Sequence, residues 1–395
     1  MKEQICVVWG GGYAGIHAIK AIEQWYKSSE GSQQWRLVLV DKAQHHVRKV
    51  LLFRPAVDEA GIGVPWRQIL PESVQFVQGE VTNVDGTNKS LHYLDPDGNE
   101  QQLAYDVLVI AAGSSARKPL PEQGGFALSD VGAAERIRAQ WQANMKQATA
   151  EASVAKRDQL MAAAVVGAGI TGIETAAELA YAMKAEAARL GLDPSRVRVH
   201  LLNKQPRLFM EGAPKASRKL DRELAACGVA VHHSCQVLRE DGGRLFFVEG
   251  APLPVGLTVW TLGLVPNPAL RNMPLPLTEA GQIIVDECYR VQGLTNVYSI
   301  GDCAHIVDPV SGKADQMTCK EAVPQAQRLG KIIRADQSGQ PAPSHKAVTD
   351  LFCIGLGPGR GLLWTHKWGL DMIITGKLAY RIKNYVWDAA SMLKG

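Results

Sequence analysis

The fold is decided at residues 5–16, ICVVWGGGYAGI, where an apolar run leads directly into glycines in G-x-G-x-x-G spacing. Residues 16–25 continue in a pattern typical of a helix, and the next apolar run, residues 36–40, ends at Asp41. A strand, a glycine turn, a helix and an acid at the end of the next strand are together the signature of a Rossmann-like unit. This stretch therefore predicts an α/β fold with a dinucleotide site.

Each residue of this signature has a physical role at a dinucleotide. Gly10 makes the tight turn, Gly12 lets the backbone approach a pyrophosphate, and Gly15 permits close packing of the helix on the strand. The N-terminus of the helix faces the phosphates, and the Asp41 carboxylate can accept hydrogen bonds from ribose hydroxyls. Because strand, helix and acid all accompany the glycines, we interpret them as a cofactor site rather than a structural turn.

The same pattern occurs a second time at residues 164–174, AVVGAGITGIE. A long helical segment follows to about residue 187, and a strand at residues 197–202 ends in Asn203-Lys204. Two dinucleotide sites in one chain imply electron transfer between two dinucleotides. The glycines of this second signature are Gly167, Gly169 and Gly172.

Three later strands also end at glycines that could approach a cofactor. They are residues 105–115 with Ala112-Gly113, residues 257–263 with Gly263, and residues 296–304 with Gly301-Asp302. The Asp302 carboxylate can accept hydrogen bonds from polyol hydroxyls. A helical segment follows at about residues 320–333, and its N-terminus can stabilise anionic charge on a reduced ring.

Residues 45–55 form a cationic segment that then turns apolar. Arg48 or Lys49 could neutralise a cofactor phosphate, and the alternative is that both belong to a solvated loop. His45 and His46 are interpreted as ordinary loop histidines, since neither lies in a catalytic motif.

Composition excludes several classes of protein. The 395 residues favour two or three domains, with 46% hydrophobic and 21% charged residues. A net charge of +4 is too weak for a nucleic-acid footprint, and no apolar run reaches the ~18 residues of a membrane span. Seven cysteines form no CxxC pair and no metal-ligand spacing, and no charged-then-apolar leader precedes the first strand. We therefore expect a cytoplasmic protein with reduced thiols and no metal site.

With both signatures and the three glycine-ended strands in this order, the chain resembles the flavin-dependent pyridine-nucleotide oxidoreductases. It is most similar to the type II NADH dehydrogenases (NADH:quinone oxidoreductases), with the ferroptosis-suppressor and apoptosis-inducing-factor quinone reductases as near relatives. The resemblance implies two Rossmann-like three-layer (ββα/βα) domains, with the NAD(P) domain inserted in the FAD domain. The implied limits are residues 1–120 and 257–345 for FAD, 121–256 for NAD(P), and 346–395 for a C-terminal amphipathic segment.

The resemblance also implies roles for individual residues. The first signature with Asp41 would hold the adenosine diphosphate half of FAD, Asp302 would bind the ribitol, and Ala112-Gly113 would lie against the cofactor. The second signature would hold NAD(P)H, with Glu174 near the nicotinamide. Catalytic roles then fall to Glu174 and Lys320, and the cofactor-binding residues are Gly10, Gly12, Gly15, Asp41, Lys49, Ala112, Gly113, Gly167, Gly169, Gly172, Asn203, Lys204, Gly263, Gly301 and Asp302.

Three departures from this family matter. The acid that usually follows the second strand of the NAD(P) unit is replaced by Asn203, with Lys204 and Arg207 after it, which predicts that NADPH is used at least as well as NADH. The quinone-side Ala-Gln is replaced by Cys319-Lys320, which leaves the natural acceptor open. The redox-active cysteine pairs of disulfide and sulfide:quinone reductases are missing, since no cysteine lies between Cys6 and Cys227.

Residues 362–395 interleave aromatic and basic side chains. An apolar stripe at near-helical spacing is formed by Leu378, Ile382, Val386, Ala389 and Leu393. Such a helix suits a membrane interface, where aromatic rings sit at the boundary and lysines extend to water. The alternative is a helix docked on the core of the protein or on a second subunit, so a homodimer is also open.

These observations together predict an FAD enzyme that takes hydride from NAD(P)H and passes two electrons to a quinone. We expect it in the cytoplasm, peripheral on the inner face of the cell membrane, with no nucleic-acid partner. One rival is a soluble NAD(P)H oxidoreductase acting on a biosynthetic or sulfur-containing substrate through Cys319 or Cys353. Another is a sensor that binds both nucleotides without turnover.

Overall fold

A computed structural model describes residues 3–28 and 34–393. Within them, helices and strands alternate in two stretches, residues 4–41 and 162–232, as α/β folds require, and runs of strands follow each stretch. The helices are Tyr13–Ser28 (α1), Val131–Ala150 (α2), Val154–Leu160 (α3), Ile170–Arg189 (α4), Pro214–Cys227 (α5), Cys319–Gln337 (α6) and Lys377–Ala390 (α7).

The first unit is built on a five-stranded parallel sheet that is buried on both faces. Cys6 and Val8 pack with α1 and α6 on one face, while Val7 and Trp9 pack on the other face against a three-stranded antiparallel sheet. The order of the parallel strands is Val297–Ser299, Val107–Ile110, Gln4–Trp9, Trp35–Asp41 and Val74–Gln78. The antiparallel strands are Glu80–Asp85, Ser90–Leu94 and Glu100–Ala104. This is the predicted ββα three-layer arrangement.

The second unit repeats this arrangement. Ala163 and Val165 pack with α2, α4 and α5, and Ala162 and Ala164 pack against another antiparallel sheet. The order of its parallel strands is Phe126–Ala127, Leu257–Trp260, Ala162–Val166, Arg198–Leu202 and Val229–His232. The antiparallel strands are Val237–Asp241, Arg244–Phe247 and Leu253–Pro254.

The second unit is inserted in the first. The chain leaves the first sheet after Val107–Ile110 and returns to it only at Val297–Ser299. The outgoing strand Ser114–Ala116 pairs antiparallel with the returning strand Leu264–Pro266. The insertion therefore follows the prediction, and the limits at residues 120 and 256 stay a prediction.

The C-terminal segment is a three-stranded antiparallel sheet followed by α7. Its strands are Leu351–Gly355, Gly361–Lys367 and Leu370–Thr375. Phe352 and Trp364 pack against Phe209 of the second unit, with ring centroids 5.0 and 5.3 Å from that of Phe209. Two short pairs complete the strands, His45–Val47 with Gly63–Pro65 and Ile283–Ile284 with Ala304–His305.

Between the two units, α2 and α3 are separate helices, and residues 162–163 already belong to a strand of the second unit. None of the buried residues of α7 belongs to the apolar stripe, which a stripe facing a membrane interface requires and a stripe docked on the protein does not. The residues of that helix that pack on the protein are Ala379, Lys383, Trp387 and Ala390. Leu378, from the predicted stripe, is 57% exposed.

Candidate functional site

The first glycine turn forms an open cradle beside Asp41. The Gly10 amide donates to the Val40 carbonyl at 2.8 Å, which fastens the turn to the next strand. A Cβ on Gly15 would lie 1.7 Å from the Gly10 carbonyl oxygen, whereas a Cβ on Gly12 would meet nothing within 4 Å. Asp41 accepts from the amides of Gly11 at 2.6 Å and Ala43 at 2.7 Å. The space above Gly12 and the acid beside it fit a dinucleotide.

The second turn has the same geometry. The Gly167 amide donates to the Leu202 carbonyl at 3.0 Å. A Cβ on Gly172 would lie 1.9 Å from the Gly167 carbonyl oxygen, and a Cβ on Gly169 would again meet nothing within 4 Å. Asn203 therefore stands where Asp41 stands in the first unit. It also repeats the local turn, because its Oδ1 accepts from the Gln205 amide at 3.1 Å.

Of the two cations that follow Asn203, the structure leaves only Lys204 exposed to solvent beside the turn. The Arg207 guanidinium donates to the backbone carbonyls of Phe209, Met210 and Gly212 at 2.8–3.0 Å. Arg207 thus holds its own loop together. The sequence interpretation that placed Arg207 at a ribose 2′-phosphate is corrected on this point, because its hydrogen bonds are already directed to the backbone.

Asp302 is half-buried in a polar cluster at the end of the first sheet, in which Ser114 and Gln325 are buried and Lys49 is exposed. The Ser114 hydroxyl donates to Asp302 Oδ2 at 2.5 Å, and Lys49 Nζ donates to the Ser114 carbonyl at 3.1 Å. Burial raises the pKa of Asp302, while Ser114 and Lys49 act against that shift. The Gly301 amide donates to Gln325 Oε1 at 2.7 Å, which connects this cluster to α6. Lys49 therefore lies with Asp302, as a cofactor-binding residue should.

The other candidate in the cationic segment has a different function. Arg48 forms an ion pair with Asp388 of α7 at 2.7 Å, and it also donates to the Ser391 hydroxyl at 3.1 Å. His46 is fully buried, with Nδ1 2.9 Å from the Gly11 carbonyl. Arg48 thus fastens the C-terminal helix to the first unit.

The loops that carry Ala112-Gly113 and Gly263 lie at the crossing between the two units. The backbone N–H of Asn267 donates to the Gly113 carbonyl at 3.0 Å, and the Asn267 side-chain Nδ2 donates to the Ala112 carbonyl at 3.1 Å. A Cβ on Gly113 or Gly263 would meet nothing within 4 Å, and both residues have positive φ. Two open glycine corners therefore precede the paired strands that connect the two units.

Glu174 has a partner that the sequence analysis missed. Lys383 Nζ of α7 lies 2.8 Å from Glu174 Oε1, and the two side chains are 9% and 5% exposed. Glu174 Oε1 also accepts from the Gly355 amide at 2.8 Å, and Lys383 also donates to the Cys353 carbonyl. The sequence interpretation treated Lys383 as one of the basic side chains that extend to water. The structure instead buries it in an ion pair that joins α7 to the second unit.

The thiols of Cys319 and Cys353 lie within the electrostatic influence of this ion pair. Burial raises the pKa of both thiols, with Lys383 acting in the opposite direction. The charge of Asp302 also raises the pKa of the Cys319 thiol. Protonated thiols are poor nucleophiles, which disfavours the sulfur chemistry considered from the sequence.

Lys320 is not brought together with Glu174. Its Nζ lies 3.9 Å from the centroid of the Phe352 ring and 4.0 Å from Asp350 Oδ1, and burial lowers its pKa. In the first turn of α6, it is Cys319 and not Lys320 whose pKa is shifted by the charges of Glu174 and Lys383. Lys320 therefore lies at the sheet of the C-terminal segment.

The outer end of this segment carries an exposed apolar surface. Trp368 and Leu370 are 87% and 74% exposed, and Lys367 lies over the Trp368 ring at 4.3 Å. Met372, Leu378 and Tyr385 are each more than half exposed. Across residues 3–28 and 34–393, no helix combines the length and apolar character needed to cross a membrane.

Comparisons with known proteins agree with this geometry. The sequence profile of the family described as pyridine nucleotide-disulphide oxidoreductase matches residues 4–328. The demethylphylloquinone reductase NdbB of Synechocystis sp. is 29% identical over 86% of this chain and 81% of its own length. The type II NADH:quinone oxidoreductase of Staphylococcus aureus is 23% identical over 98% and 95%.

A solved structure has the same fold along almost the whole chain. It is NDH2 from Plasmodium falciparum in complex with NADH, which superimposes with a TM-score of 0.82 over 98% of this chain and 94% of that one. Its sequence is 16% identical, so this likeness shows the fold alone.

Proposed function

Because the chain belongs to the pyridine nucleotide-disulphide oxidoreductase family, we propose that it is an FAD-dependent oxidoreductase that passes electrons from NAD(P)H to a quinone. The observation that carries the proposal is the duplicated cradle, with open space at Gly12 and Gly169 and the crossing loops of Gly113 and Gly263 between them. Two dinucleotides held in one chain are the arrangement needed for electron transfer between them. Relatives named as quinone reductases match this chain along most of their own length.

The residues of the first unit fit FAD. Asp41 keeps lone pairs for ribose hydroxyls beyond its two backbone donors, and the N-terminus of α1 stabilises the pyrophosphate charge. Asp302, held by Ser114, would accept from the ribitol. When bound, FAD supplies the redox chemistry by accepting hydride from the nicotinamide and passing the electron pair to the quinone.

The residues of the second unit would hold the nicotinamide dinucleotide. The N-terminus of α4 and the open turn at Gly169 would take its pyrophosphate, and Asn203 would meet the adenosine ribose. Asn203 carries no negative charge, so it does not repel a 2′-phosphate as an acid would. This supports use of NADPH as well as NADH.

The resemblance implies that Glu174 lies near the nicotinamide; because Glu174 is paired with Lys383, we propose instead that the pair is the acceptor-side polar group. Quinone reduction to hydroquinone adds two electrons and two protons, and hydride supplies both electrons with only one proton. Glu174 Oε1 and the Cys353 carbonyl take two of the three N–H groups of Lys383. The third can donate to a quinone oxygen, which would orient the acceptor and place a proton beside it. Lys320, at the sheet of the C-terminal segment, remains a second candidate for contact with the quinone.

The decisive experiment is steady-state oxidation of NADH and NADPH with a water-soluble quinone, using purified flavin-loaded protein. The proposal predicts turnover that depends on the quinone and a loss of at least about tenfold in kcat for Lys383→Met. Lys377→Met is the matched control, because Lys377 is an exposed lysine at the start of the same helix. A protein that binds both nucleotides but does not turn over would be the sensor considered from the sequence.

We further propose peripheral contact with the cytoplasmic face of the membrane through Trp368 and Leu370, which are exposed next to Lys367. Trp368→Ser with Leu370→Ser should abolish sedimentation with lipid vesicles. Leu120→Ser with Val154→Ser, at exposed apolar positions elsewhere, is the control. If the first pair of substitutions instead converts a dimer to a monomer, the surface is a subunit interface.

A further inference from the structure

A histidine lies directly behind Asn203, at the end of the neighbouring strand. Strand Val229–His232 pairs parallel with Arg198–Leu202, so His233 and Asn203 follow adjacent strand ends. His233 Nδ1 lies 3.1 Å from Asn203 Nδ2, and His233 Nε2 lies 3.2 Å from Asp221 Oδ1 of α5. The His233 side chain is 31% exposed. The imidazole therefore bridges the asparagine of the nucleotide site and a carboxylate.

The surrounding hydrogen bonds fix the tautomer of this imidazole. Asn203 Oδ1 is occupied by the Gln205 amide, so it is the Asn203 NH₂ group that faces His233 Nδ1. In the neutral state Nδ1 must then accept, which leaves the ring proton on Nε2; Asp221 Oδ1 lies 3.2 Å from Nε2 but accepts no hydrogen bond from it. A second proton can go only to Nδ1. It would displace the Asn203 amide and present an N–H at the position next to the adenosine ribose.

The other charged and titratable groups near His233 do not supply this change. Burial, with His233 adding to the effect, lowers the pKa of His232. Burial and the charges of His232 and Arg198 lower the pKa of His200, 3.0 Å from His232, to about 4, so His200 stays neutral near pH 7. Lys204 is exposed beside the turn. Asp221 would repel a bound phosphate as long as His233 is neutral.

We propose that His233 makes recognition of a ribose 2′-phosphate pH-dependent, so that the protonated imidazole selects NADPH over NADH at the Asn203 position. This rests on the proposed function, since it takes the second unit as the NAD(P)H site. The phosphate dianion and the imidazolium attract each other, so binding of the phosphorylated nucleotide draws a proton onto Nδ1. ADP-ribose lacks the 2′-phosphate and draws none.

The direction of the pH effect separates this proposal from simple electrostatics. A phosphate monoester loses one negative charge as pH falls through about 6. At a site with only permanent cations, preference for the 2′-phosphate would therefore weaken on acidification. An imidazole that takes up a proton as the phosphate binds reverses this direction, so with His233 the preference must strengthen between pH 8 and pH 6.5.

The experiment is isothermal titration of the flavin-loaded protein with ADP-ribose and with 2′-phospho-ADP-ribose, which need no redox turnover. Titrations at pH 7 in two buffers of different ionisation enthalpy give the protons taken up on binding. We expect uptake of roughly 0.3 proton or more with the phosphorylated ligand and close to none with ADP-ribose. The ratio of the two affinities should rise about fivefold from pH 8 to pH 6.5.

His233→Asn is the informative variant, because an amide oxygen can replace Nδ1 as the acceptor for Asn203 without titrating. It should abolish proton uptake and the rise in the ratio. His92→Asn, in strand Ser90–Leu94 of the first unit, should leave both unchanged. If ADP-ribose binds but the phosphorylated ligand fails to bind or takes up no proton, this inference is overturned and the proposed function stands. If neither ligand binds, the nucleotide site and the proposed function both fail.

Discussion

Lys383 of α7 and Glu174 of α4 form a buried ion pair with 2.8 Å between Nζ and Oε1. The pair joins the C-terminal helix to the NAD(P) unit, while Arg48 joins the same helix to the first unit through Asp388. The helix thus spans both nucleotide-binding units. The placement of Glu174 depends on a residue more than two hundred positions away in the sequence.

Breaking this ion pair should destabilise the protein strongly. Lys383→Met leaves the Glu174 carboxylate buried without its cation, and we expect a loss of about 3–5 kcal/mol in the free energy of unfolding. Adding Glu174→Gln should restore part of that loss, because the uncompensated charge is removed. Urea denaturation of the flavin-loaded proteins measures both. Lys42→Met, at the exposed pair with Glu80, is the control and should change little. An equally small loss for Lys383→Met would contradict the burial of the pair.

Gly12→Val should abolish flavin retention without unfolding the chain. A side chain at Gly12 meets nothing within 4 Å of its Cβ, so the fold accommodates it, but it occupies the place of the pyrophosphate. Absorbance at visible wavelengths and far-UV circular dichroism of the purified variant check the two parts. Gly61→Val, at an exposed glycine with equally open surroundings, should remain yellow. A Gly12→Val protein that keeps FAD would place the cofactor elsewhere.

Asn203→Glu should shift nucleotide choice towards NADH. A carboxylate there accepts from the 2′-hydroxyl and repels a 2′-phosphate, so the ratio of kcat/KM for NADPH to that for NADH should fall about tenfold or more. Lys204→Gln should lower the same ratio less, since Lys204 is exposed. The wild type should use NADPH at least as well as NADH. A wild type that already strongly prefers NADH would refute this reading of Asn203.

Acid should destabilise the second unit through His200. Its pKa is about 4 in the folded protein, below the ordinary value of 6.5, chiefly because it is buried. The unfolded chain therefore binds more protons between these values, so stability is complete above pH 6.5 and falls as the pH drops towards 4. We expect a contribution of about 2–3 kcal/mol. His200→Gln should flatten this part of a pH series of urea denaturations, and His92→Gln should not. An unchanged slope in His200→Gln would exclude His200 as the cause.

The two glycine signatures predicted the duplicated fold, because each glycine or polar residue in them is required by the conformation of the backbone around it. Gly15 and Gly172 admit no Cβ, and Asp41 and Asn203 follow strands that the glycine turns contact directly. Such constraints act over a few residues, so they are readable from spacing. The insertion of one unit in the other was implied by the resemblance to the flavin-dependent pyridine-nucleotide oxidoreductases, not by any local signal.

The acceptor side could not be predicted in the same way, because it depends on long-range packing. Cys319 and Lys320 are consecutive residues of α6 and point in different directions. Only Cys319 is affected by the charges of the Glu174–Lys383 pair, whereas Lys320 lies over the Phe352 ring. The spacing of Ala379 and Trp387, four residues before and after Lys383, does indicate that Lys383 lies on the buried face of α7. Its partner on α4 could not be read from that pattern.

The measurement that tests the central claim most directly is anaerobic stopped-flow spectroscopy of the yellow protein. The account predicts that NADH or NADPH bleaches the flavin absorbance, and that a quinone mixed afterwards restores it fast enough to support steady-state turnover. Lys383→Met should bleach normally and recover more slowly. Flavin that NAD(P)H does not bleach, or that a quinone does not restore, would contradict the account.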